Sequence, residues 1–148
     1  MLSRKQLKDN VYMTMAYTAA QLSPCRSRQV GCIILDDRDR VISVGYNGPP
    51  RYMKHCSTCE RKEIRKDLDL CRATHAEINA LVNCYSLRDA RKMFVTTAPC
   101  YECAKVIANT EIHHIVYDCE YEERTIELFR ILDIKIEKIA NFSFINFE

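Results

Sequence analysis

Two short clusters hold the residues that could do chemistry. His75-Ala76-Glu77 comes first, and Pro99-Cys100-Tyr101-Glu102-Cys103 follows about twenty residues later. Imidazole nitrogen and cysteine sulfur are both good zinc donors, and a catalytic zinc takes three protein ligands and keeps its fourth position for water. His75, Cys100 and Cys103 are candidates for those three ligands. Glu77, two residues from the histidine, is free to move protons rather than bind metal. Zinc lowers the pKa of bound water to about 7, so this set points to hydrolysis near neutral pH. A closed zinc knuckle, with Glu77 only capping a helix, is the plainer alternative. It fits less well, because small knuckles are not usually built on a His-x-Glu pair and three ligands leave one position open.

Helix starts must position both clusters. Thr74 suits the N-cap of a helix from His75 to about Tyr85, with Glu77 at its third position. Pro99 suits the start of a second helix that ends near Asn109 and sets Cys100 and Cys103 on one face of its first turn. There the helix dipole and free N–H groups favour thiolate, the ligand form of cysteine. Met93 to Thr97 reads as a central strand between the two helices.

Upstream, Arg4 to Leu22 reads as a helix with Leu7, Val11, Met15 and Leu22 near one face, ended by Ser23-Pro24. Val30 to Leu35 is an apolar strand, Asp36 to Asp39 turns the chain, and Val41 to Val44 returns as the second arm of a hairpin. Tyr46 to Arg72 is a long loop with a short charged helix near Lys62 to Lys66. Loops of that length in a compact domain are usually functional or pinned by something. Downstream, Ile115 to Tyr117 is a strand, Glu122 and Glu123 open a helix through Leu132, and Ile134 to Ile136 is the last clear strand. Phe142, Phe144 and Phe147 alternate as a strand face would. Helix, hairpin, then alternating helix and strand describe an α/β layered domain with a mixed sheet.

A chain of 148 residues reads as one domain, 1–148, large enough to bury a core. With 47% hydrophobic and 28% charged residues, the composition is that of a soluble protein. A net charge of +2 is too small to argue for nucleic-acid or membrane binding. No apolar run approaches the ~20 residues of a membrane span, and MLSRKQLKDN is too polar for a secretory signal, so a cytoplasmic location is the expectation. In that compartment nine cysteines point to metal binding or burial rather than disulfides. Cys25, Cys56, Cys59 and Cys71 lie in loop-like sequence, with Cys56-Ser57-Thr58-Cys59 spaced as a zinc half-site. Cys32, Cys84 and Cys119 read as core residues. His113 and His114 adjoin no other ligand and read as exposed strand-edge residues.

His-x-Glu followed by Pro-Cys-x-x-Cys is the pattern of zinc deaminases. From about Met13 to Tyr121 the chain resembles the deoxycytidylate deaminases of the cytidine deaminase superfamily. Cys25-Arg26-Ser27-Arg28-Gln29-Val30-Gly31, Gly45-Tyr46-Asn47-Gly48-Pro49-Pro50, His55-Cys56 and Cys71 to Ala80 carry the resemblance. It implies a three-layer α/β/α fold on a five-stranded mixed sheet, hydrolysis of dCMP to dUMP with release of ammonia for thymidylate synthesis, and a homo-oligomer such as a hexamer. It further implies that Asn47 faces the sugar and that backbone groups around Ala76 meet the pyrimidine. A 5′-phosphate needs basic partners or helix-end donors, and Arg26 and Arg28 are candidates from their place in the motif, with a solvated loop as the alternative.

Some members of the family bind a second, structural zinc. The resemblance implies one held by Cys25, Cys56, Cys59 and Cys71, with His55 as a substitute for one of them and four unrelated thiols as the alternative. A Mg2+ ion is implied wherever a nucleotide effector binds. Relatives commonly carry glycine where this chain has Tyr52, in the loop tied to triphosphate regulation, and this departure argues against inherited control by dCTP and dTTP. Rival readings are a deaminase of dCTP, one of a nucleic-acid base such as a tRNA adenosine, and a non-catalytic zinc-stabilised relative. A tRNA enzyme calls for a stronger basic field, and a non-catalytic protein has no use for Glu77.

Overall fold

The computed structural model describes residues 1–59, 71–120 and 122–146. Ser3 opens the first helix, α1 (Arg4–Ala20), with a capping box: its hydroxyl accepts from the Gln6 N–H at 3.2 Å while the Gln6 side chain accepts the Ser3 N–H at 2.8 Å. The apolar stripe expected to face inward instead faces out. Leu7, Val11, Met15 and Leu22 are exposed, and Met13, Ala16, Ala19 and Ala20 are buried together with Asp9 and Asn10. Close approach decides the face. A Cβ built on Gly31 would lie 1.8 Å from the Ala16 carbonyl oxygen and 2.8 Å from the Ala20 nitrogen, so helix and strand touch backbone to backbone. Only small residues fit along such a seam.

The hairpin forms as expected from β1 (Gly31–Leu35) and β2 (Val41–Tyr46). α2 (Ala76–Val82), β3 (Lys92–Thr97), α3 (Tyr101–Ile107), β4 (His114–Cys119), α4 (Glu123–Ile131) and β5 (Lys135–Lys138) follow. The sheet order is β2-β1-β3-β4-β5, antiparallel through the first three strands and parallel from β3 to β5. β1 is buried along its whole length and β3 through its middle, because helices cover both faces. Met13 and Ala16 pack with Ile33, Leu35, Phe94 and Val116 on one side. Ala76, Ala80, Ala104, Ile107 and Phe129 pack with Cys32, Ile34, Met93, Val95 and Ile115 on the other. This is the three-layer α/β/α arrangement with a five-stranded mixed sheet. Among the described residues no helix is long and apolar enough to cross a membrane.

Several local expectations are corrected. His114 opens an inner strand rather than an edge, and its mostly buried ring sits 3.0 Å from Glu137 on β5, while His113 is exposed. Cys32 is buried and Cys84 partly so, but Cys119 ends β4 in the open, 3.4 Å from the Tyr17 hydroxyl. No strand follows Lys138 among the described residues. Phe142 stacks on Tyr17 with centroids 5.4 Å apart, and Phe144 sets its edge against both rings. Phe147 and the Lys62 to Lys66 helix lie outside the described residues. Tyr52 adopts φ 71° at the third position of a turn closed by the Met53 N–H on the Pro50 carbonyl. Its backbone keeps the form that glycine favours, and its side chain is fully exposed.

The seat of α2 is a second backbone-to-backbone contact. A Cβ on Gly45 would stand 2.4 Å from the Ala76 carbonyl oxygen and 2.5 Å from the Ala80 nitrogen, both backbone atoms that cannot rotate away. Gly45→Ala therefore forces α2 off the sheet and should cost about 2 to 3 kcal/mol in urea denaturation. Wild-type stability in that variant would mean the helix can move freely.

Candidate active site

Tyr46, Gly31, Thr97 and Cys119 lie at one end of the sheet, since Gly31 pairs with Tyr46 and Thr97 with Cys119. The chain after β2 returns along this rim through a two-way bridge, with Gly48 N–H on the Thr74 carbonyl at 3.1 Å and Thr74 N–H on the Gly48 carbonyl at 2.7 Å. His75 follows at once. It is the N-cap of α2 rather than its first residue, with ψ 154°, and Cys100 is likewise the N-cap of α3, with ψ 166°. A cap residue is half outside its helix, and neither side chain is spent on a capping hydrogen bond. The two side chains meet across the rim.

The structure brings them together. His75 Nδ1 lies 3.5 Å from Cys100 Sγ and 3.3 Å from Cys103 Sγ, and all three donor atoms are mutually within 4.8 Å. Zinc bonds of about 2.0 Å to nitrogen and 2.3 Å to sulfur, set tetrahedrally, place such atoms about 3.6 Å apart. Both nitrogen-to-sulfur distances thus suit one tetrahedral zinc. Among the described residues it is the one group of three or more donors at this spacing.

The electrostatics agree. Cys100 accepts the hydrogen bond of the Cys103 thiol and lies beside His75, which brings its pKa down to about 4. The same bond, with burial and the Glu77 charge, holds the Cys103 thiol well above its usual range. A divalent cation bound by both sulfurs would displace the remaining thiol proton. Glu77 is the second residue of α2, not the third, and is buried. Burial pushes its carboxyl up to about 7, against the pull of its own backbone N–H and of His75. Cys32 sits beneath, its thiol raised by burial and by the Glu77 charge.

The remaining expected residues divide. Asn47 is buried and bridges the loop before β1, accepting from the Val30 N–H at 2.8 Å and donating to the Arg28 carbonyl at 2.9 Å. Ala76 is buried beneath Gly45. Arg28 forms a two-pronged pair with Glu120, both contacts 2.7 Å. Arg26 reaches the Cys56 carbonyl at 3.4 Å. Cys25, Cys56, Cys59 and Cys71 line one small pocket with Arg26, yet no three of their sulfurs come within 4.8 Å of one another.

Sequence reasoning missed the tethers. Ser43 donates to the Ala80 carbonyl at 2.6 Å and Asn79 to the Tyr46 carbonyl at 2.8 Å, lashing α2 to β2. The Glu122 carboxylate accepts the Tyr101 N–H at 3.1 Å. A small polar residue on the buried face of β2 was the only available signal for the first. Nothing local marks Glu122.

Fold and site define an α/β/α domain that sets one imidazole and two thiols beside a buried carboxylate. The model of the cytidine and deoxycytidylate deaminase zinc-binding region matches residues 6–119. The deoxycytidylate deaminase of Mycobacterium phage D29 is 37% identical over 123 residues, covering 76% of this chain and 94% of that protein. The Saccharomyces cerevisiae deoxycytidylate deaminase is 34% identical over 143 residues, and the chain spans 92% of its own length but 45% of the yeast protein's. The dCMP deaminase of cyanophage S-TIM5, solved with dCMP and dUMP, superposes with a TM-score of 0.74 at 26% identity, covering 93% of this chain and 99% of that one. The chain belongs to the cytidine and deoxycytidylate deaminase family.

Cobalt provides a direct test of the donor set. Co2+ added to metal-free protein should give thiolate-to-metal absorption, and Cys103→Ser should remove much of it and weaken binding. An unchanged spectrum would exclude Cys103 as a ligand.

Proposed function

We propose that this protein is a zinc-dependent deaminase that converts dCMP and water to dUMP and ammonia, supplying dUMP for thymidylate synthesis. The observation that carries the reading is the His75, Cys100 and Cys103 donor set, closed to zinc spacing beside the buried Glu77. The phage relative, matched over nearly its full length, and the cyanophage enzyme bound to dCMP and dUMP support the substrate.

His75, Cys100 and Cys103 would hold the zinc, which would supply a water acidic enough to attack at neutral pH. Glu77 does the proton work. It takes one proton from the attacking water and delivers it to ring N3 as the oxygen bonds to C4. The remaining hydroxyl proton then passes through Glu77 to the exocyclic amine. The C4–N bond breaks, ammonia leaves, and C4 keeps the oxygen as a carbonyl. A carboxyl held near 7 by burial can both accept and return a proton at neutral pH. Backbone groups around Ala76 face the pyrimidine and Asn47 the sugar, with one amide hydrogen of Asn47 having no partner among the described residues.

For the 5′-phosphate, Arg28 is the better placed of the two arginines. It is on the rim and pairs with an exposed carboxylate that a phosphate can replace, whereas Arg26 turns toward the cysteine pocket. We also read Cys25, Cys56, Cys59 and Cys71 as a structural zinc site whose sulfurs draw together on binding, and the protein as a homo-oligomer.

Three measurements test this reading. Glu77→Gln should lower ammonia release from dCMP about a thousandfold while zinc stays bound, and surviving activity would refute the mechanism. Arg28→Met should raise KM about tenfold for dCMP and leave deoxycytidine unaffected, whereas equal effects on both would remove Arg28 from the phosphate. Metal analysis should find two zinc ions per chain and one in Cys59→Ser. A single zinc in the wild-type protein would sink the second site.

A further inference from the structure

Tyr101 lies between the two cysteines of the donor set, and both its backbone and its ring are held from α4. Its N–H is one of the four at the start of α3 that no turn of that helix can satisfy. The Glu122 carboxylate accepts it, Oε2 to nitrogen, at 3.1 Å. The other oxygen, Oε1, accepts from Arg124 Nε at 2.9 Å. The Arg124 guanidinium closes the ring of contacts by lying 4.2 Å from the centroid of the Tyr101 ring, with Lys105 at 5.2 Å from the same centroid. Glu122 is also the N-cap of α4, its carbonyl accepting from Thr125 and Ile126, so its own backbone is fixed. Both Glu122 and Arg124 fall beyond residue 119, where the family match ends.

We infer that Glu122, braced by Arg124, is a positioning residue for the metal site: it fixes the Cys100–Tyr101 peptide and thereby the direction of the Cys100 and Cys103 sulfurs. The geometry supports this through a short chain of contacts. Cys100 is a cap residue, and caps are where a helix frays. Its side chain makes no capping bond, and Pro99 before it has no N–H to anchor the segment. The Glu122 contact to the next residue supplies the missing anchor. The carboxylate is only partly exposed, and Arg124 fixes its orientation. Its acceptor role, not its charge alone, is what the peptide needs. Groups that orient a metal ligand in this way commonly change metal affinity by 10- to 100-fold when removed.

The inference rests on the zinc site proposed above, and the experiment separates the two. Zinc affinity is measured by competition with a chromophoric chelator, alongside the visible spectrum of the Co2+ protein. The bands of this site are those lost in Cys100→Ser. Glu122→Ala should weaken zinc about tenfold and shift those cobalt bands. Glu122→Gln keeps an oxygen acceptor for the Tyr101 N–H and should restore most of both. Arg124→Met, a change at an exposed side chain that leaves folding intact, should weaken zinc by a few-fold because the carboxylate loses its brace. Wild-type affinity and spectrum in Glu122→Ala, damage in Glu122→Gln equal to that in Glu122→Ala, or no effect of Arg124→Met would each overturn the inference. Failure of the wild-type protein to bind zinc at His75, Cys100 and Cys103 would instead overturn the proposed function.

Discussion

Everything at this site depends on two helices starting a few ångströms apart. His75 and Cys100 are caps, and a cap residue has extended backbone, so its side chain leaves the helix end instead of running along its flank. Ser, Thr, Asp and Asn usually fill such positions, because their oxygens satisfy the free N–H groups of the first turn. Histidine and cysteine give up that local bond. In exchange they face each other at 3.5 Å across the end of the sheet. The arrangement forgoes helix stability at the point where metal chemistry needs donors.

Rigidity must then come from elsewhere. α2 is seven residues long, too short to be stable alone, and is held by its contact with β2. Gly45 allows backbone contact, and Ser43 and Asn79 add hydrogen bonds from above and below. The Gly48–Thr74 bridge fixes the approach to His75. The same apolar packing that seats Ala76 and Ala80 buries Glu77 between them in sequence, and burial is what lifts its carboxyl toward neutrality. Fold stability and the acid–base behaviour of the site therefore share one cause.

The donor set and Glu77 could be read directly from the sequence, because ligation demands particular residue types at particular spacings. The strands could be read as well: Val30 to Leu35 and Met93 to Thr97 are apolar runs that only a twice-covered sheet explains. What could not be read depends on contacts distant in sequence. α1 turns its larger apolar residues outward because Gly31 asks for Ala16 and Ala20, a preference that periodicity cannot reveal. The α2 cap lies one residue beyond Thr74, which is committed to Gly48 in the bridge, and α3 starts at Tyr101 rather than Pro99. Glu122 suited the positive end of its own helix, and nothing in its neighbourhood hinted that it served the start of another. Resemblance points Asn47 to the sugar and Arg28 to the phosphate, and the hydrogen bonds that occupy them appear only in three dimensions.

The aromatic cluster of Tyr17, Phe142 and Phe144 bears on how the chain is made. α1 is made before the strands it covers, yet its buried face needs β1, β3 and β4 beneath it, and its Tyr17 needs Phe142 and Phe144 from beyond β5. The Ile145 N–H on the Thr14 hydroxyl and the Lys5–Glu137 pair tie the same two regions. Synthesis proceeds from the N-terminus, so the α1 layer lacks part of its packing until the residues after β5 have emerged. Closing so long a loop is slow, and until it closes Tyr17 on α1 lacks its two phenylalanine partners. The aromatic side chains near residue 142 thus act late, as a latch on a layer that α1 has already laid over the sheet.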